Sequence, residues 1–82
     1  LRRWQAEIAI RRWRDEHCPF TPDWTNGRQG KFYGHFNHQT KIWMTTWTKS
    51  LQESGTIYFE IADDFRACID ALPDEWNALL ID

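Results

Sequence analysis

Three histidines and two cysteines are the side chains of this chain best suited to hold a metal or to attack a substrate. His17 and Cys18 are adjacent, and His35 and His38 stand three apart. On an extended strand that spacing sends two imidazoles to opposite faces, and neither pair has a zinc-ligand spacing. A metal site would require the chain around His38 to fold back onto residues 17–18. Nucleophilic catalysis has no foothold either: there is no GxSxG and no Gly-rich phosphate loop. The adjacent carboxylates Asp63 and Asp64 suit the positive first turn of a helix better than an acid/base pair. The sequence therefore predicts no catalytic residue, no metal and no cofactor.

Binding chemistry is better represented. Arg2, Arg3, Arg11, Arg12 and Arg14 crowd the first 14 residues, a pattern that could contact phosphates or simply form a solvated helix face. The charge is uneven: residues 1–14 carry +4, residues 15–49 carry +1 and residues 50–82 carry −7. The net charge of −2 weakens the case for nucleic acid, and the acidic end could mimic phosphate toward a basic protein or serve solubility. Tyr33, His35, Ile42, Met44 and Tyr58 would form an aromatic outer sheet face of the kind that stacks unpaired bases, unless the first helix lays Trp4 and Ile8 across it. Trp13, Trp24 and Trp76 lie outside the strands, as core clamps or interface anchors.

The elements that must position these groups can be read in order. Residues 1–18 form a helix without Gly or Pro, ended by Pro19. It carries two apolar strips, Leu1/Trp4/Ile8 and Ala6/Ala9/Ile10/Trp13. One strip docks a helix on its own domain, so the second predicts another contact, simplest as a homodimer through Trp4, Ile8, Ile10 and Trp13. Residues 19–30 are a linker. A three-stranded antiparallel meander covers 31–61, with strands at 31–36, 41–49 and 55–61 and a loop at 37–40. That loop pairs Phe36 with Lys41 and puts Phe32, Gly34, Phe36, Trp43, Thr45 and Trp47 on one face. With Ile57, Phe59 and Ile61 they form the expected core, capped by Phe65 and Ile69. The C-terminal part, 62–82, is helical, with Phe65, Cys68, Ile69 and Leu72 at helical spacing and a break at Pro73.

Eighty-two residues support one domain, and a chain this short buries only about 60% of its unfolded surface. Six Trp, five Phe and two Tyr supply the dense core that this demands. Two cysteines are too few for a secreted disulfide scaffold, and no apolar run reaches membrane-spanning length.

From about Pro22 to Leu80 certain residues recur as a set: Asp23-Trp24-x-Asn26, Lys31-Phe32-Tyr33, His38, Trp43, Gly55-Thr56-Ile57-Tyr58-Phe59 and Ala67-Cys68-Ile69-Asp70-x-Leu72-x-Asp74-Glu75. In these the chain resembles small uncharacterised proteins encoded by bacteriophages and prophages, in which a helix or coiled coil precedes the region. It departs from that group at Gly34, where a β-branched residue or Tyr is expected, and at Phe65, where Ala is expected. The resemblance implies a mobile-element protein in the cytoplasm of an infected or lysogenic bacterium and carries no activity. The expectation is a single α+β domain that binds a host or viral protein as an inhibitor or adaptor. Single-stranded nucleic-acid binding through the arginines and the outer sheet face is the alternative.

Overall fold

A computed structural model describes residues 1–26, 28–48 and 56–80. The first helix, α1 (Arg3–His17), begins where the Gln5 side chain accepts the Arg2 backbone N–H at 2.9 Å. Such a bond satisfies one of the donors that every helix start leaves open. At the other end His17 Nδ1 donates to the Trp13 carbonyl at 2.9 Å and stacks on the Trp13 ring at 4.4 Å.

Two strands follow, β1 (Lys31–Asn37) and β2 (Ile42–Thr48), paired as an antiparallel hairpin. The loop is 38–41 and not 37–40, because Asn37 organises it. Its side-chain oxygen accepts the N–H of Gln39 (2.9 Å) and Thr40 (3.2 Å), and its carbonyl accepts the N–H of Lys41 (2.7 Å). Lys41 closes the turn with φ 61°. Phe36 therefore faces Trp43 rather than Lys41, and Phe32 faces Trp47. Moving the register by two residues conserves parity, so the expected row of Phe32, Gly34, Phe36, Trp43, Thr45 and Trp47 still shares one face.

The expected third strand is not seen among the described residues. Its first residue, Gly55, lies outside the described residues, and the remainder makes a single bridge, Phe32 to Phe59, with N–H···O bonds of 2.9 and 2.7 Å. Ile57, Tyr58 and Phe59 are all buried, whereas a half-exposed strand alternates. Tyr58 lies edge-on to Trp24 and Tyr33, while Phe59 turns to Phe65 and Trp76. Ile61 is then the extended N-cap of α2 (Ala62–Ala71), which halts the pairing and leaves Ile61 half exposed instead of in the core. Asp63 and Asp64 occupy the first turn of α2, as the helix dipole favours. After a break at Leu72, Pro73 opens α3 (Pro73–Ala78).

The core gathers Ile10, Ile57, Phe59, Phe65, Cys68 and Trp76, with Phe32, Trp43, Ile69 and Leu72 packed on it. Trp47, expected in it, is 56% exposed. Helix α1 packs on α3 and α2 and leaves the hairpin's outer face uncovered, which corrects the expectation that Trp4 and Ile8 lie across that face. The described residues thus form an α+β arrangement of an N-terminal helix, a two-stranded antiparallel sheet and two C-terminal helices.

Candidate functional site

At 3.6 residues per turn, residues 6 and 10 of α1 lie on the side opposite residues 4 and 8. The structure uses that division. Ala6 and Ile10 are fully buried and Trp13 is half-buried, so two of the four residues expected at an interface belong to the core side. Leu1, Trp4 and Ile8 are 68%, 58% and 49% exposed. Arg11 and Arg12 flank this outer strip on the helix surface.

The five arginines do not act as a set. Arg14 is tied down: its Nη1 donates to the Tyr58 carbonyl at 3.0 Å, and its Nε and Nη2 reach Asp15 Oδ1 at 3.3 and 3.1 Å. It staples α1 to the extended segment before α2 and does not face solvent as a phosphate contact would. Arg3 pairs with Glu7 at 3.5 Å. Arg2 and Arg12 are exposed and Arg11 is half-buried.

The expected stacking face is likewise divided. Tyr58 is 5% exposed, so it offers no ring to a base. Tyr33 is half-buried beside it, and only His35, Ile42 and Met44 of the expected face are open to solvent.

Among the described residues no group of three or more His, Cys, Asp or Glu could hold a metal ion. His17 lies on Trp13, and His38 is edge-on to Phe36 at 5.1 Å. Burial and the neighbouring Asp64 raise the Cys18 thiol above its ordinary range, and burial pushes Cys68 up to about 11. Both are poor nucleophiles near neutral pH.

The linker hides a feature that sequence reasoning missed. Lys31 is fully buried, and its Nζ donates to the carbonyls of Gln29 (2.9 Å) and Asn26 (3.3 Å) while lying 5.0 Å from the Trp24 ring centroid. Asp23 sets the loop by accepting the Thr25 hydroxyl (2.6 Å) and N–H (3.0 Å), and its own N–H donates to Gln29 Oε1 (2.6 Å). The available signal was the set Asp23-Trp24-x-Asn26 with Lys31, which is the residue list of this loop.

A second surface lies beside β2. Ile42 and Met44 are 59% and 48% exposed, and they line an open depression of about 330 Å³ with Trp43, Thr45 and Arg66. It adjoins another of about 270 Å³ that reaches Ile69 and Asp70 on α2.

No family model, no curated protein and no solved structure matches the chain. Among the described residues no helix is long and apolar enough to cross a membrane.

Proposed function

We propose that this domain is a non-enzymatic protein-binding module, and that the outer strip of α1 is its contact surface. The observation that carries the reading is the division of α1. One side is sealed into the core, while Leu1, Trp4 and Ile8 stand between 49% and 68% exposed on the other. Such a strip fits an apolar groove on a partner, with anchors at helical spacing. Arg11 and Arg12 at its margins favour a groove with an acidic rim, since complementary rim charges speed encounter and fix orientation. The resemblance to small phage-encoded proteins directs the search to host or viral proteins, which such a module would inhibit or link. The burial of Tyr58 and the engagement of Arg14 weigh against the nucleic-acid alternative.

The test compares wild type with Trp4→Glu/Ile8→Glu in affinity capture from bacterial lysate, followed by titration of the purified captured protein. Both residues are exposed, so the variant should keep the wild-type melting temperature. Loss of binding by about 100-fold or more is expected if these are the anchors. Equal binding by the variant, or salt-sensitive binding to single-stranded RNA with no protein partner, would overturn the reading.

A further inference from the structure

We infer that the outer strip of α1 in one copy of this chain seats in the trough between β2 and α2 of a second copy. Resting on the reading of that strip as a contact surface, this names one partner for it.

The trough follows from the two faces of the hairpin. Trp43 and Thr45 lie on the face that packs on α2, and Ile42 and Met44 on the other. Ile42 and Met44 stay 59% and 48% exposed. The depressions of about 330 and 270 Å³ share Ile42, Trp43 and Arg66, so together they run from Met44 past Trp43 to Ile69 on α2. Ile42, common to both, stands roughly 20 Å along β2 from its last residue, Thr48, which places the trough at the turn end of the hairpin. Met44 supplies a flexible, polarizable wall of the kind that adapts to inserted apolar groups.

Charge and shape select the occupant. Residues 60–75, which include the α2 wall, carry six acids against Arg66, a net of −5. Asp70 lines the trough, and the exposed Asp63 lies on the same side of α2, two turns earlier. Residues 1–14 carry +4. On α1 the exposed Trp4 and Ile8 are one turn apart, and the exposed Arg12 continues their row by another turn. Amphipathic helices enter grooves through apolar anchors at this spacing, and opposite charges at the rim orient them.

Within one chain the two surfaces cannot meet. Ala6 and Ile10 hold α1 to its own core, which turns Trp4 and Ile8 away from the domain. The strip is therefore received by another copy. Strip and trough are different surfaces, so the contact is heterologous. Self-association and the binding of a foreign protein then exclude each other at α1.

Sedimentation equilibrium across the micromolar range tests this with two variants of the full chain. Trp4→Glu/Ile8→Glu removes the strip, and Ile42→Lys/Met44→Lys removes the trough. All four positions are exposed, so both variants should keep the wild-type melting temperature. Wild type should associate, and each variant alone should do so about tenfold more weakly or less. Mixed in equal amounts, the two variants should form a one-to-one complex, since each retains the surface that the other lacks. A monomeric wild type overturns the inference, and so does a mixture that forms no complex. Association that survives in the trough variant but not in the strip variant overturns it too, and would set α1 against α1. The proposed function is judged apart from these results by the captured foreign protein. It stands beside a monomeric wild type if the strip variant alone loses that protein, and it falls if the strip variant keeps it.

Discussion

A methyl group on Gly34 would stand 2.6 Å from Cε1 of Phe65 and 3.2 Å from Cζ3 of Trp76. Phe65 is 1% exposed and fills the space that a side chain at 34 would need. Gly34 and Phe65 thus lie against each other as a small–large pair. That pairing predicts a coupled response. Gly34→Val should destabilise by about 1–3 kcal/mol through overpacking, and Phe65→Ala by about 3–5 kcal/mol through the cavity it leaves. The double variant should cost less than the sum by about 1 kcal/mol or more, because each change makes room for or fills the other. Urea unfolding of the four proteins measures the coupling, and strict additivity would mean that the two sites do not share this space.

At the scale of elements, turn chemistry decided what the sequence disclosed. The three helices were legible because Pro19, Asp63-Asp64 and Pro73 mark their ends. The hairpin's faces were legible, since side-chain direction depends only on parity. Its exact register was not, because a Lys at φ 61° gives no sign in the sequence of closing a turn. What residues 56–61 do was not legible for a related reason: Ile57, Tyr58 and Phe59 suit a strand equally well when buried on both sides, and only tertiary contacts reveal that among the described residues they make a single bridge. Residues 19–30 read as a plain linker in the sequence, although Asp23 ties Thr25 and Gln29 together within it. The Thr25 hydroxyl and N–H hold the Asp23 carboxyl below its ordinary 3.8. A lowered pKa contributes stability that is present above the ordinary value and is lost as pH falls through the folded one. The Thr25 amide resonance should therefore titrate with a midpoint below 3.8, and Asp23→Asn should abolish that titration. A midpoint at the ordinary value would show that the carboxylate makes no such bonds.

At the scale of the whole molecule, the sequence disclosed two apolar strips on α1 but not which of them the domain buries. It could not show that Ile10 and Trp13 serve the domain while Trp4 and Ile8 face outward, because both strips have apolar residues at helical spacing. Nor could it show that Ile42 and Met44 stay exposed on β2.

Helix α1 packs chiefly on α3, the last helix of the described chain, and Ile10 shares a core with Trp76. On the ribosome this places the helix made before the hairpin and the one made after α2 in one cooperative unit. Until residues 73–78 leave the exit tunnel, Ile10, Phe59 and Phe65 have no Trp76 to close over them. Synthesis therefore cannot build the domain in stages, and the nascent domain must be kept from aggregating until residues 73–78 are exposed. A chain stopped at Leu72 should lack near-ultraviolet circular dichroism and be cut rapidly by protease, whereas the chain through Leu80 should show a cooperative melt. If the shorter chain also melted cooperatively, the joining of the two ends would be ornamental to folding.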